Sequence, residues 1–286
     1  MASCRPEHLL RTARTPPLIA TWCEPLLDRA SLTGRDMAAT IPPVNTQELI
    51  ATSCPKIGAL GSAFYFIPAT LAKGKELGFD GFRFYLLGRG GVLGDVEPAV
   101  ITSAFGYFNG PLVEKLWNDA RTKMAPREAG RVYMGCAQDF GRAKFAAVAG
   151  LAEFCASAEK VVAAVHPAGL PLFAGIAAEP LAQDLPARAM QLIAVLREFR
   201  GSAHLIAVVA SGLEPKAAHL MRRPEMAKAF GYPEDPFEAT DADRAKHAAA
   251  DALTDVLVTP AYSVLNEVEA AALLAGLAGC EAAVAA

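Results

Sequence analysis

Four things are missing from this 286-residue chain, and each absence removes a class of protein. Its six cysteines, Cys4, Cys23, Cys54, Cys136, Cys155 and Cys280, are scattered without a C-x-x-C pair or a close Cys/His cluster, so neither a zinc site nor a disulfide scaffold is expected. Thiols kept reduced in the cytoplasm are the plain expectation. Charge of one sign is missing too: 27 Lys and Arg against 30 Asp and Glu leave a net charge of -3, which gives no general attraction for nucleic acid or an acidic membrane. Apolar runs of spanning length are lacking, since the Ala-rich stretch from Phe145 to Val165 is interrupted by Glu153, Glu159 and Lys160. Catalytic signatures are also absent, with no G-x-S-x-G elbow, H-E-x-x-H or Walker loop, and His166, His204, His219 and His247 are too far apart for a helical ligand pair. No metal and no cofactor is expected.

What is present is apolar and helical. Hydrophobic residues make up 53% and charged residues 20% of the chain, with mean hydropathy +0.26, which is not the composition of a disordered protein. Residues 1–36 carry Arg5, Arg11, Arg14, Arg29 and Arg35 together with acids and lack a continuous apolar core, so they do not read as a signal peptide. With the short stretch that follows, residues 1–44 are expected to be a disordered tail or to precede the true start.

From Thr46 onward the apolar spacing is helical, with Gly and Pro between segments. The expected fold class is all-α, with a helical domain over 45–165, a boundary at His166-Pro-Ala-Gly169 and a second helical domain over 166–286. A helix from Phe79 should end at Gly88, Asp95 should cap the next, and Asn109-Gly110 should stop that one. From Pro126 one pattern runs to Val165, breakable near Gly141 or Gly150. Gly201 should bend or divide the helix after Pro186. Thr240 with Asp243 resembles a capping box opening a helix to about Val258, and a last helix spans about Asn266–Cys280.

The stretches FYLLGRGGVLG (84–94), SAFGYFN (103–109), GLPLFAGIAAEP (169–180) and LREFRGSAH (196–204) are similar, in that order, to four stretches of an actinobacterial family labelled as containing a helix-turn-helix or winged-helix domain. The resemblance covers about residues 46–277. It implies an all-helical N-terminal part and a C-terminal part related to winged-helix regulators, with no established enzymatic activity. The chain departs from the family pattern after Met221, which leads through Phe230-Gly-Tyr-Pro almost directly to the Thr240 helix. The recognition helix and wing are therefore expected to be shortened or lost, leaving a degenerate winged-helix-like domain. Between Leu213 and His247 the bases Lys216, Arg222, Arg223, Lys228, Arg244 and Lys246 are outnumbered by Glu214, Glu225, Glu234, Asp235, Glu238, Asp241 and Asp243. A surface that neutralises phosphates carries a basic excess, so DNA is a disfavoured partner.

The candidate ligand-binding residues are Arg89, Asn109, Arg197, Arg200 and His204. Gly88–Gly94 superficially resembles a phosphate loop but follows a helix rather than a strand, so a tight interhelical turn is the better reading. Arg89, projecting from it, either pairs with a carboxylate or meets an anion. Arg197, Arg200 and His204 are spaced i, i+3 and i+7 and share one helical face. Helped by Glu198 or the amide of Asn109, they form either a ligand pocket between the two domains or a buried ion-pair network. Phe64, Tyr65, Phe66, Phe82, Phe84, Tyr85, Phe105, Tyr107, Phe108 and Trp117 are core aromatics or the lining of an apolar cavity. The leading expectation is a non-enzymatic protein binding a small molecule. A ligand-responsive DNA-binding regulator comes second and an enzyme third.

Overall fold

The computed structural model describes residues 45–232 and 237–286, which belong to one compact unit. The expected tail lies outside the described residues. Twelve α-helices and two 3-10 turns make up the regular structure, with no strand among the described residues. In chain order the helices are α1 Thr46–Leu60, α2 Pro68–Glu76, α3 Gly81–Gly90, α4 Pro98–Phe105, α5 Gly110–Arg121 and α6 Pro126–Phe145. They continue with α7 Leu151–Ala164, α8 Pro171–Ala177, α9 Leu185–Ala210, α10 Pro215–Arg222, α11 Asp241–Tyr262 and α12 Glu267–Ala285. The chain is all-α.

The fold is organised around α9. Asp184 caps it by accepting from the Ala187 N–H at 3.2 Å, and Pro186 sits in the first turn, where no N–H is needed. Over its 26 residues, roughly 39 Å at helical rise, α9 packs against α6, α11, α7, α8 and α1. Met190, Ile193, Leu196 and Phe199 are buried there. Gly201 does not divide the helix, which runs on to Ala210; a glycine weakens a helix without breaking it when tertiary packing holds both sides.

Glycine explains a second difference from the expected elements. α3 does not end at Gly88 but continues to Gly90 and tightens into a 3-10 turn over Gly91–Leu93. A side chain on Gly88 would overlap the Tyr133 ring, and one on Gly91 would overlap the Pro126 carbonyl. These glycines let α3 approach α6 closely, and the reversal comes only at Gly94, with φ of 86°. Asp95 caps nothing, because its carboxylate pairs with Arg121 at 3.3 Å and α4 begins after Glu97. Nor does Asn109-Gly110 stop α4, which ends at Gly106 with φ of 73°; Asn109 instead precedes α5.

Elsewhere the local chemistry acts as its residues indicate. The long pattern from Pro126 breaks at Gly150, in the left-handed region with φ of 73°. Thr240 and Asp243 form the reciprocal capping box of α11, which extends to Tyr262, and Asn266 with Glu269 does the same for α12. α12 is the one described helix long and apolar enough to cross a membrane by length and composition. It is a member of the bundle, with Leu273, Leu277 and Cys280 buried and Gly276 set close against Phe154.

His166–Gly169 is indeed a connector, between α7 and α8. Helices on both sides of it share one apolar core, so segments 45–165 and 166–286 meet over common packing. A satellite cluster of Ala207, Val208, Leu213, Ala217, Ala218 and Ala250 seats α10 on the ends of α9 and α11. Between Arg222 and Asp241 the described residues hold only the 3-10 turn Pro224–Met226.

Candidate functional site

Because Ile193, Leu196 and Phe199 turn into the core, Arg197, Arg200 and His204 occupy an adjoining stripe of α9. The unbroken helix carries this stripe over about 10 Å, and it forms one wall of a cleft of about 450 Å³. Facing it are Gly58, Ser62 and Tyr65 from α1 and the following turn, with Phe66, Phe82, Tyr85 and Arg89 beside them. Phe105, Tyr107 and Phe108 close one side, and His219, Arg222, Arg223 and Phe230 close the far end. Arg89, Arg197, Arg200 and His204 thus meet in a single cleft.

One end is organised by Glu198, which is 3% exposed. Arg89 grips it bidentately, donating from Nε and Nη2 at 2.8 Å each, while Arg197 Nη1 donates at 2.9 Å and the Tyr65 hydroxyl at 3.3 Å. Burial alone would push the Glu198 carboxyl up, but Arg89 and then Arg197 hold it down at about 2. Burial works against the charge on Arg89 as well, and the Glu198 carboxylate more than offsets it. Arg89 also donates to the Tyr85 hydroxyl at 3.0 Å and lies 4.4 Å over the Phe105 ring, while Arg197 lies 5.0 Å over Tyr65. Two guanidinium groups share one carboxylate here.

The other end is backed by α11. Arg200 reaches Asp255 only at 3.6 Å, and its Nε is buried without a hydrogen-bond partner. Arg222 donates to Asp251 at 2.5 Å and to His247 Nε2 at 3.0 Å. His204 Nδ1 lies 2.9 Å from the Thr254 hydroxyl, which itself donates to the Ala250 carbonyl at 2.6 Å. A hydroxyl has a single proton, so His204 is the donor in this pair and its Nε2 is left as an acceptor. Burial first, then the Arg222 guanidinium, pull the His204 pKa down to about 4, so the ring is neutral at pH 7. The Tyr107 hydroxyl and His219 Nε2 are likewise buried without a hydrogen-bond partner. His204, His247 and Asp251 approach one another, but the Arg222 guanidinium sits where a cation would have to bind. Among the described residues no group of three or more His, Cys, Asp or Glu could hold a metal.

Asn109 is not brought into the cleft. Its side-chain amide donates to the Gly231 carbonyl at 3.0 Å and its backbone N–H to the Phe230 carbonyl at 2.9 Å, tying the start of α5 to the segment after α10. Four contributors escaped the sequence reading of the site. Arg222, Arg223 and His219 lie in the stretch weighed for DNA contacts, and their distance in sequence from α9 hides their convergence with it. Tyr65 stands among the aromatics expected to be core or cavity lining, and only the fold shows its hydroxyl on Glu198. Cys54, Cys155 and Cys280 are buried free thiols, and burial pushes Cys155 up to about 11 and Cys280 to about 12, values that leave them inert.

No curated protein and no solved structure matches the chain. Residues 52–286 match a family described as a helix-turn-helix family, which takes in nearly all of the described structure, and the chain therefore belongs to that helix-turn-helix family.

Proposed function

We propose that the protein is a non-catalytic cytoplasmic receptor for a small organic anion, held in the cleft between α9 and the aromatic wall. The observation that carries this reading is the imbalance of charge around an open, ring-lined cavity. Arg89, Arg197, Arg200, Arg222 and Arg223 line it, and the carboxylates that engage them are Glu198, Asp251 and Asp255. With His204 neutral, two positive charges are in excess. A cleft of a few hundred Å³ that combines rings with convergent polar groups has the size and the orienting groups of a small-molecule site. Arg200 meets its carboxylate only at 3.6 Å, so its guanidinium adds a cation that an anionic ligand would engage. No nucleophile with an activating base lines the cleft, so binding without chemistry is the simpler reading.

Arg200→Ala tests it. The Arg200–Asp255 contact is long and part-exposed, so its loss should change the melting temperature of the unliganded protein little. The same change should abolish the thermal stabilisation that carboxylates, sulfonates or phosphate esters confer on the parent. A large fall in stability with no anion-induced shift in the parent would make the arginines a structural latch instead.

A second reading, a ligand-responsive DNA-binding regulator, is favoured by the helix-turn-helix family. Arg222 supports a link between ligand and α11, since it lines the cleft and also grips Asp251. The balance of charge between Leu213 and His247 weighs against it.

A further inference from the structure

Within a helix, glycine is unfavourable relative to alanine, and most helical glycines of this protein are accounted for by what lies against them. A side chain on Gly61 would strike Arg197, one on Gly88 Tyr133, one on Gly141 the Pro186 carbonyl and one on Gly276 Phe154. Gly58 and Gly201 differ: a Cβ built on either meets nothing within 4 Å, and both line the cleft. Gly61 lies on Arg197 while Cys54 lies beside Arg200, so α1 and α9 run antiparallel and Gly58 comes level with the turn of α9 that ends at Gly201. Packing does not require these two glycines, and their effect is to leave bare backbone on the cleft, from α9 beside Arg200 and from α1 facing it.

Rings line the same cleft. Phe66 is 44% exposed, one of the few large apolar side chains left open to solvent, and its ring lies 5.4 Å from Tyr85 and 5.6 Å from Phe82. Bare helix and clustered rings lining one cleft leave a slot that suits the face of an aromatic ring better than a branched or coiled aliphatic chain. At the Glu198 end the guanidinium donors are largely engaged, whereas Arg200 meets Asp255 only in a long ion pair of 3.6 Å. Resting on the reading of the cleft as an anion site, we infer that its ligand is a planar aromatic acid. The ring lies in the slot between Gly201 and Phe66, and the acid group lies on Arg200. Gly58 and Gly201 are then specificity-determining positions, kept small for the ligand at a cost to the helix.

The test is titration calorimetry of the full chain with 1-naphthoate, undecanoate (the same carbon count as a flexible chain), 1-naphthamide (the uncharged isostere) and inorganic phosphate. The expectation is that 1-naphthoate binds about tenfold or more tightly than each of the other three, the order of discrimination a shaped pocket provides. Gly201→Ala should weaken 1-naphthoate by about tenfold or more while the melting temperature stays level or rises, because alanine favours the helix but fills the slot. Gly135→Ala, at another helical glycine with open space around it but outside the cleft, should leave the affinity unchanged. If undecanoate or phosphate binds as well as 1-naphthoate, or Gly201→Ala binds like the parent, the aromatic assignment falls while the anion site stands, provided Arg200→Ala still removes binding. If none of these anions binds and none in a wider panel does, both readings fall.

Discussion

Glu198 is the residue on which the cleft turns, because a buried carboxylate holding two guanidinium groups cannot be removed without stranding them. Glu198→Gln should destabilise the protein by about 3–5 kcal/mol in urea unfolding, the cost of breaking a buried ion pair from one side. Adding Arg89→Met should recover part of that loss; a double variant no better than Glu198→Gln alone would mean that Arg89 is not the stranded charge. His204 sets the acid side of stability. Its folded pKa of about 4 lies below the ordinary 6.5, so the unfolded chain takes up the proton first as pH falls. Stability should therefore drop progressively from about pH 6.5 toward pH 4, and Glu198, held at about 2, should extend the loss below its ordinary 4.5. His204→Asn, which can still donate to Thr254 but does not titrate, should flatten the upper part of that profile in melting temperatures measured across the range. The stripe of Arg197, Arg200 and His204 was legible from spacing alone, since i, i+3 and i+7 fall together on any continuous helix. Their partners were not: Arg222, Asp251 and Asp255 reach them from α10 and α11, and nothing in local periodicity reports a meeting across so many residues.

Among the elements, several helices were readable from caps and breakers, as the capping box at Thr240 and the break at Gly150 show. Helix ends were misread where a residue with two uses served the less local one. Gly88 reads as a stop because glycine commonly follows a helix, yet here it admits Tyr133; Asp95 reads as a cap but pairs with Arg121. Gly201 reads as a division between two helices, but the packing of α9 on α6 and α11 outweighs the propensity of one residue, and the helix continues. The same distinction gives opposite expectations for identical substitutions. Gly91→Ala would push a methyl group into the Pro126 carbonyl, a backbone atom that cannot swing aside, and should cost about 1–3 kcal/mol or more as overpacking. Gly58→Ala, facing open space, should stabilise by about 0.5–1 kcal/mol. Chemical denaturation of the two variants beside the parent decides this, and a loss at Gly58 would show that its backbone, not its missing side chain, is what the helix needs.

At the scale of the whole molecule, the connector at His166–Gly169 joins segments that share one core, because α9 packs on α6 and α7 from before it and on α11 from after it. Sequence punctuation marks where the chain turns; it does not show whether apolar faces on the two sides seek each other. The same core decides what the helix-turn-helix scaffold has available for nucleic acid. α10 is seated on the satellite cluster by Ala217 and Ala218, and its Arg222 is drawn back to Asp251 and His247 rather than left to solvent alone. Arg244, at the start of α11, is likewise engaged with Asp241. Affinity for duplex DNA depends on cations free to displace counterions from phosphates, and each such contact steepens the dependence on salt. With basic and acidic residues nearly balanced between Leu213 and His247, the protein should show no salt-sensitive binding to mixed-sequence duplex DNA in fluorescence anisotropy at low ionic strength. A micromolar or tighter complex that dissolves steeply on adding salt would require several phosphate contacts. Such a result would place the regulator reading ahead, with Arg222, which lines the cleft and pairs with Asp251, as the first residue to substitute.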